Sequence, residues 1–228
     1  MSTTVTVVIS CAGMGRRLGL SRTKALAQVC GRPLIHWQLD SISAIENVRI
    51  VVGYQAEEVI ACVRQVRSDV VFAFNRDFQN TGTAASFVAG SAGAKGRVVS
   101  LDGDLLISPQ EFARFIATDG PALGVLKPSS EEPLYALLNR DTNHVEAFSR
   151  EKSTKCLEWS GLCQLDHIQI AESVAAGRGL GHVYELVEQH LPLPAVNVDA
   201  REIDTPEDFA IAERWLKERQ AEWHGING

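Results

Sequence analysis

Four stretches of this chain carry side chains whose types and spacing can do phosphate chemistry. The first runs from Val5 to Leu26. Cys11, Ala12 and Gly13 are small enough for a ligand to lie against the main chain. Gly13 and Gly15 permit the positive φ of a tight turn whose amide groups converge on an anion. Arg16, Arg17, Arg22 and Lys24 then place four cations within nine residues. The second stretch, Val98 to Asp104 (VVSLDGD), ends in Asp102 and Asp104 separated by a glycine. Such hard oxygen donors suit Mg²⁺, which binds through one or two carboxylates together with substrate phosphates. Asp-Gly is equally a turn signal. The third, Val198 to Phe209 (VDAREIDTPEDF), gathers Glu202, Asp204, Glu207 and Asp208 around Thr205-Pro206. All four acids can simply start a helix, and Glu207 and Asp208 suit its first turn, where negative charge meets the dipole. The fourth, Asn75 to Ser86 (NRDFQNTGTAAS), is a glycine turn with amide and hydroxyl side chains. It can read the edge of a base by hydrogen bonds or cap the following helix.

The elements that must position these groups follow from apolar periodicity. Val5 to Ile9 reads as a buried parallel strand, Leu34 to Ile45 as a helix, Val48 to Gly53 as a strand, Ala56 to Val66 as an amphipathic helix and Val70 to Phe74 as a third strand. A helix over Ala84 to Ala92 and a strand over Arg97 to Leu101 continue the alternation, which argues for a parallel sheet with right-handed crossovers. Pro109 to Ala117 reads as helix. Strands are predicted over Ala122 to Lys127, Leu134 to Leu138, His144 to Ser149 and Leu157 to Gln164, a β-rich insertion covering a ligand. Gly181 to Gln189 reads as helix, Ala195 to Asp199 as strand, and Pro206 to Glu222 as a closing helix capped by Thr205 with Asp208 three residues on. The phosphate loop and the Asp102-Gly103-Asp104 turn then lie at the carboxyl ends of parallel strands, where open α/β sheets bind ligands.

The glycine loop is neither of two familiar ones. G-x-x-x-x-G-K-[ST] is absent, and Leu18 stands where a dinucleotide fingerprint needs Gly or Ala. The run Gly13, Gly15, Arg17 and Lys24 resembles the G-x-G-x-R…P-K loop of the nucleotidyltransferases, a superfamily that includes MobA-like and sugar-phosphate nucleotidylyltransferases. Thr23 stands where that loop usually has Pro. The order of the other motifs supports the resemblance: Asn75…Asn80…Ser86 is similar to a segment of phosphocholine-type cytidylyltransferases, with Phe87 for Leu. Gly82-Thr83-Ala84 resembles a turn of uridylyltransferases, and Glu202-Ile203-Asp204-Thr205-Pro206-Glu207-Asp208 resembles E-x-D-T-P-E-D.

The resemblance implies an α/β fold, a Rossmann-like and mainly parallel sheet with helices on both faces and a small β-rich lid. It implies one domain over 1–228, with about 120–195 as the acceptor-binding part. It implies transfer of a nucleotidyl group from an NTP, CTP first, to a small phosphorylated or phosphonate acceptor, releasing pyrophosphate. A sugar-1-phosphate nucleotidylyltransferase and a non-catalytic nucleotide-binding module are the alternatives. Carried over by position, Arg17 and Lys24 are catalytic. Ala12, Gly13, Met14, Gly15, Gln79, Gly82, Thr83 and Asp102 bind nucleotide, and Asp104 and Asp204 hold Mg²⁺. Asn75, Lys127, Lys152 and Glu158 are acceptor candidates. Arg150 and Lys155 extend that basic set, and Trp159 either contacts the acceptor or packs.

Composition narrows the partners. The chain has 228 residues, 45% of them hydrophobic, and a net charge of −6, which disfavours nucleic acid and anionic membrane as partners and fits a small anionic ligand at a local basic loop. Its five cysteines show no C-x-x-C pair, and its six histidines no zinc spacing. Scattered thiols, no apolar run long enough for a bilayer and no basic flank before the first apolar run predict a cytoplasmic protein. A homodimer is left open.

Overall fold

In chain order the elements are β1 (Val5–Cys11), a 3-10 turn (Lys24–Leu26), β2 (Gln28–Val29), β3 (Arg32–Pro33), α1 (Leu34–Ser41), β4 (Asn47–Val52), α2 (Ala56–Arg64), β5 (Val70–Phe74), α3 (Thr83–Ser91), β6 (Arg97–Asp102), β7 (Leu105–Ile107) and α4 (Pro109–Ile116). The second half adds β8 (Ala122–Leu126), β9 (Tyr135–Asn139), β10 (His144–Ser149), β11 (Cys156–Asp166), α5 (His167–Ala175), α6 (Val183–Val187), a 3-10 turn (Glu188–His190), β12 (Leu193–Asn197), β13 (Ala200–Glu202) and α7 (Pro206–Glu218). The computed structural model describes residues 4–15, 22–130, 132–151, 156–219 and 222–223.

β1 is the axis. Val7, Val8 and Ile9 are fully buried, as the run of β-branched residues predicts for a strand covered on both faces. It pairs in parallel with β4 on one side and β6 on the other, and β5 pairs in parallel with β4 at the sheet edge. α1, α2 and α4 bury Ile35, Leu39, Val63 and Phe112 against one face. α3, α5 and α6 bury Phe87, Ile170 and Leu186 against the other. Helices therefore cover both faces of the parallel strands, as expected.

Beyond β6 the sheet turns mixed. β11 runs antiparallel to β6 and β8, β12 runs parallel to β8, and β10 and β9 follow in antiparallel register. β9 also pairs with the start of β11, Cys156 with Leu137 and Glu158 with Tyr135. The five strands β11, β8, β12, β10 and β9 thus close on themselves, so the β-rich part continues the main sheet and ends it in a ring with no free edge on that side.

Two features escaped the sequence reading. α5 follows β11 directly: Asp166 accepts from Ile168 N (2.9 Å), and Gln169 Oε1 accepts from Asp166 N (2.9 Å), a reciprocal cap spelled D-x-x-Q. The pair β7–β13 is only three residues long, with Ala200 opposite Ile107 and Glu202 opposite Leu105. Ile203 N then donates to Asp104 O (3.0 Å). This short ladder brings the Asp102–Asp104 turn and the Glu202–Asp204 segment together across about a hundred residues of sequence.

Candidate active site

The carboxyl ends of β1, β5 and β6 open onto one cavity of about 330 Å³, lined at β1 by Ser10, Cys11 and Ala12. Gly15 adopts φ +59°, the left-handed turn that the loop requires, and a Cβ there would meet Arg22 O at 2.7 Å. Gly13 has open space beside it. Gly103 is required for a different reason: a Cβ would lie 2.3 Å from Ser10 O, so only glycine lets the Asp102–Asp104 turn pass over β1.

Lys24 begins the 3-10 turn after Thr23. Thr23 has φ −60° and ψ 143°, a backbone that proline would also adopt, but its N–H donates to Gln55 Oε1 (2.8 Å), a bond that proline cannot make. Gln55 itself sits at φ +51°, at the start of α2. The departure from the usual Pro-Lys sequence is therefore matched by an amide from a neighbouring element.

Lys24 Nζ donates to Asp104 Oδ2 (2.6 Å) and to Asp204 Oδ1. The three side chains are only 15–19% exposed. Carboxylate oxygens of Asp104, Glu202 and Asp204 lie within 4.8 Å of one another. Desolvation alone would lower the Lys24 pKa, but Asp104 and Asp204 outweigh it and hold the ammonium well above its usual range. Burial, reinforced by Asp104, pushes Asp102 up to about 8, against partial relief from Lys24. Glu202 is an exposed residue with its carboxyl turned to the cluster. Loss of water around that carboxyl and then the charges of Asp104 and Asp204 push it up to about 8. Asp208 accepts from Asp204 N (2.9 Å), Thr205 N (2.7 Å) and Thr205 Oγ1 (2.9 Å), capping α7. Helix capping thus falls to Asp208, and the Asp204 carboxylate faces Lys24.

The remaining expected residues divide. Ala12, Gly13, Gly15, Gly82, Thr83 and Asp102 line the cavity with Lys24 and Asp104, and Met14 lies in the same loop. Asn75 also lines it, with its amide donating to Thr81 Oγ1 (3.0 Å) and Ser86 Oγ (3.1 Å), so it shapes the turn that precedes α3. Gln79 is exposed and outside the lining residues. Lys127 is exposed just past β8. Glu158 is buried, and its carboxylate accepts from Ser129 N (2.7 Å), Ser130 N (3.3 Å) and Ser130 Oγ, which ties the loop after β8. Arg17 and Lys152, with Arg16, Leu18 and Lys155, lie outside the described residues.

Sequence reading missed two contributors. Gln38, fully buried in α1, donates to Asp102 O and Leu105 O (2.8 Å each) and so clamps both ends of the acidic turn. His182 lines the cavity and stacks on Tyr184 (5.7 Å, 10°), which meets Phe148 edge-on (6.0 Å), which meets Trp159 (5.0 Å). The segment before α6 is fastened to the glycine turn: Gly82 N donates to Leu180 O (2.8 Å) and Ala84 N to Gly181 O (2.9 Å). The ring series therefore starts at the cavity and runs out along the β-rich half. The HVY triplet beside a glycine is all the local signal there was for His182, and Gln38 had none.

The donor set fits a divalent cation. Four carboxyl groups, of Asp102, Asp104, Glu202 and Asp204, face one ammonium among the described residues, and Asp102 Oδ1 is buried without a hydrogen-bond partner. All are hard oxygen donors, which suit Mg²⁺ or Mn²⁺ over zinc.

A family model described as MobA-like NTP transferase domain matches residues 7–161. The bifunctional protein GlmU of Thermoanaerobacter pseudethanolicus is 31% identical over 144 residues, 60% of this chain and 31% of that protein. GlmU of Neisseria meningitidis serogroup B is 28% identical over 160 residues, 68% of this chain and 34% of that one. The chain thus spans about a third of the length of these curated relatives. Among solved structures it is similar to the CTP:phosphocholine cytidylyltransferase LicC of Streptococcus pneumoniae, with a TM-score of 0.74, 20% identity, and coverage of 93% of this chain and 99% of that one. It is also similar to the inositol-1-phosphate CTP transferase of T. maritima, with a TM-score of 0.76, 17% identity, and coverage of 95% and 98%. At these identities the likeness is one of fold. No helix of the described residues is long and apolar enough to cross a membrane.

Proposed function

The chain belongs to the MobA-like NTP transferase domain family, and from that premise we propose that it transfers a cytidylyl group from CTP to a small acceptor bearing a phosphate or phosphonate, releasing pyrophosphate. The observation that carries this reading is the convergence of Lys24 and Asp104, which line the cavity beside the β1 loop, with Asp204. The acceptor oxyanion is already a nucleophile, so the protein has to align it for in-line attack and neutralise charge. Gly13 and Gly15 let the loop amides approach a triphosphate, and Lys24 reaches it from the same side. Arg17 joins them by position in the motif. Asp104 and Asp204 are the residues that would hold Mg²⁺, which when bound supplies Lewis-acid charge neutralisation at the α-phosphate. Gln38 fixes the acidic turn, and the turn at Gly82–Thr83 with Asn75 faces the base.

Two structural neighbours described as CTP-using enzymes support cytidine as the base. A second reading, a sugar-1-phosphate nucleotidylyltransferase, is favoured by the Gly82-Thr83-Ala84 turn. The ring series and the absence of a described cationic side chain turned into the cavity other than Lys24 favour an acceptor with a compact organic body. The test is pyrophosphate release from CTP, UTP, GTP and ATP, each with phosphocholine, an aminoalkyl phosphonate, inositol 1-phosphate or glucose 1-phosphate, with and without Mg²⁺. Turnover with CTP and an acyclic acceptor is expected. UTP with glucose 1-phosphate would select the second reading, and nucleotide binding without turnover in any pair would leave a binding module.

A further inference from the structure

We propose that Lys24 serves as a tethered cation for the two carboxylates that would otherwise hold a divalent metal, so that the metal must displace Lys24 to bind and the displaced ammonium is handed to the triphosphate. The inference rests on the metal reading of Asp104 and Asp204 and adds an order of events to it. Lys24 Nζ contacts both carboxylates at once, one at 2.6 Å. One oxygen from each of these carboxylates and one from Glu202 lie within 4.8 Å of one another, a space one cation fills. An ammonium and a divalent ion cannot both take it at these distances, because repulsion between the two cations would cancel what each gains.

The chain's own geometry makes the exchange feasible. Lys24 is the first residue of a single 3-10 turn on a glycine-flanked loop, and four flexible side-chain torsions let the ammonium swing without moving that turn. The acids cannot follow it. Asp104 is fixed by the β7–β13 ladder and by Gln38 on the preceding turn, and Asp204 by the cap at the start of α7. Moving Lys24 away takes from Asp104 and Asp204 the ammonium that both of them contact. Its departure is therefore favourable only when a cation arrives, and its new position is favourable only when an anion is there to receive it. Metal and triphosphate then bind with positive coupling, each lowering the cost of the other.

The experiment uses Mn²⁺ alone as probe, with the full chain and no nucleotide. Free Mn²⁺ is titrated by its electron paramagnetic resonance signal against the wild type and Lys24→Met. The proposal expects Lys24→Met to bind Mn²⁺ at least about tenfold more tightly, and CTP to strengthen Mn²⁺ binding less in the variant than in the wild type. Equal or weaker Mn²⁺ binding by Lys24→Met overturns it. No Mn²⁺ binding by either protein overturns the metal reading and this inference together. Should Lys24→Met not fold, the wild type decides alone: amine acylation of Lys24, followed by peptide mass spectrometry, should become several-fold faster when Mn²⁺ is added. Unchanged or slower acylation contradicts the exchange.

Discussion

The two halves of the sheet are built from different materials. At the parallel half, β5, β4, β1 and β6 end in turns that expose main chain, and charge is concentrated there: Lys24, Asp102, Asp104, Glu202 and Asp204. At the closed β-rich half, His182 lines the cavity, and Tyr184, Phe148 and Trp159 follow it in ring contact, the last two packed half-buried against the core, while Lys127 is exposed. On the proposed function, the main chain and fixed charge of the first half would serve the triphosphate, which all nucleoside triphosphates share. On the same reading, the half made of side-chain faces is where one acceptor would be told from another. Substitutions in the first should therefore abolish chemistry, and substitutions in the second should change which acceptor is used.

The largest expected effect tests the first half. Asp104→Asn and Asp204→Asn should each lower kcat/KM roughly a thousandfold, about 4 kcal/mol of transition-state stabilisation, with the fold retained by circular dichroism. Activity within threefold of wild type for Asp204→Asn would return that residue to a purely helix-starting role. The second prediction turns to the other half. Trp159→Leu should raise KM for the acceptor about tenfold, equivalent to about 1.4 kcal/mol, with KM for the NTP unchanged. Lys127→Ala should change neither. Equal effects of Trp159→Leu on both substrates would erase the division between the halves.

The third prediction concerns the joint between them. Gln38→Ala leaves Asp102 O and Leu105 O without their buried donor, so it should cost about 2 kcal/mol, a fall in Tm of about 4–8 °C. Thermal unfolding that matches wild type would mean that the acidic turn holds itself. The smallest effect is set by pH. Burial works against the Glu111 carboxylate, but Arg114 and the N–H of Asp199 outweigh it and hold its pKa below the usual 4.5. A carboxyl with a lowered folded pKa contributes stability above its unfolded pKa, lost as pH falls through the folded value. Glu111→Gln should therefore give a shallower drop in Tm below about pH 4.5 and little change at neutrality. An unchanged acid limb would remove Glu111 from the joint between α4 and the β12–β13 connection.

What could be read from sequence follows the same division. The strands and helices of the parallel half were legible because each carries its own period, and Val70–Phe74 agrees at both ends with the reading. Lys24, Asp104 and Asp204 were legible as types in a known order. Their direct contact was not, because it depends on two three-residue strands, β7 and β13, too short to show any period. From sequence Asp104 and Asp204 are two carboxylates that repel each other, whereas in the fold Lys24 lies between them. Gln38 carried no signal of its own within its helix, because its amide is turned inward to carbonyls 64 and 67 residues away. Glu158 was read as an acceptor candidate, and only the fold shows Ser129 and Ser130 closing over it. α5 was legible in principle, since Asp166 and Gln169 spell its cap, but the apolar run of β11 leading into it hid the change of period.

The central claim is that residues about a hundred positions apart, Asp104 and Asp204, act on one cation at the edge of the nucleotide cavity. Its most direct test is an anomalous difference map from crystals grown with Mn²⁺ and CTP. The account predicts a manganese peak bonded to one oxygen each of Asp104 and Asp204, with Lys24 moved onto the triphosphate. A manganese peak that touches only one of these aspartates, or neither, with Lys24 still between them, would contradict it.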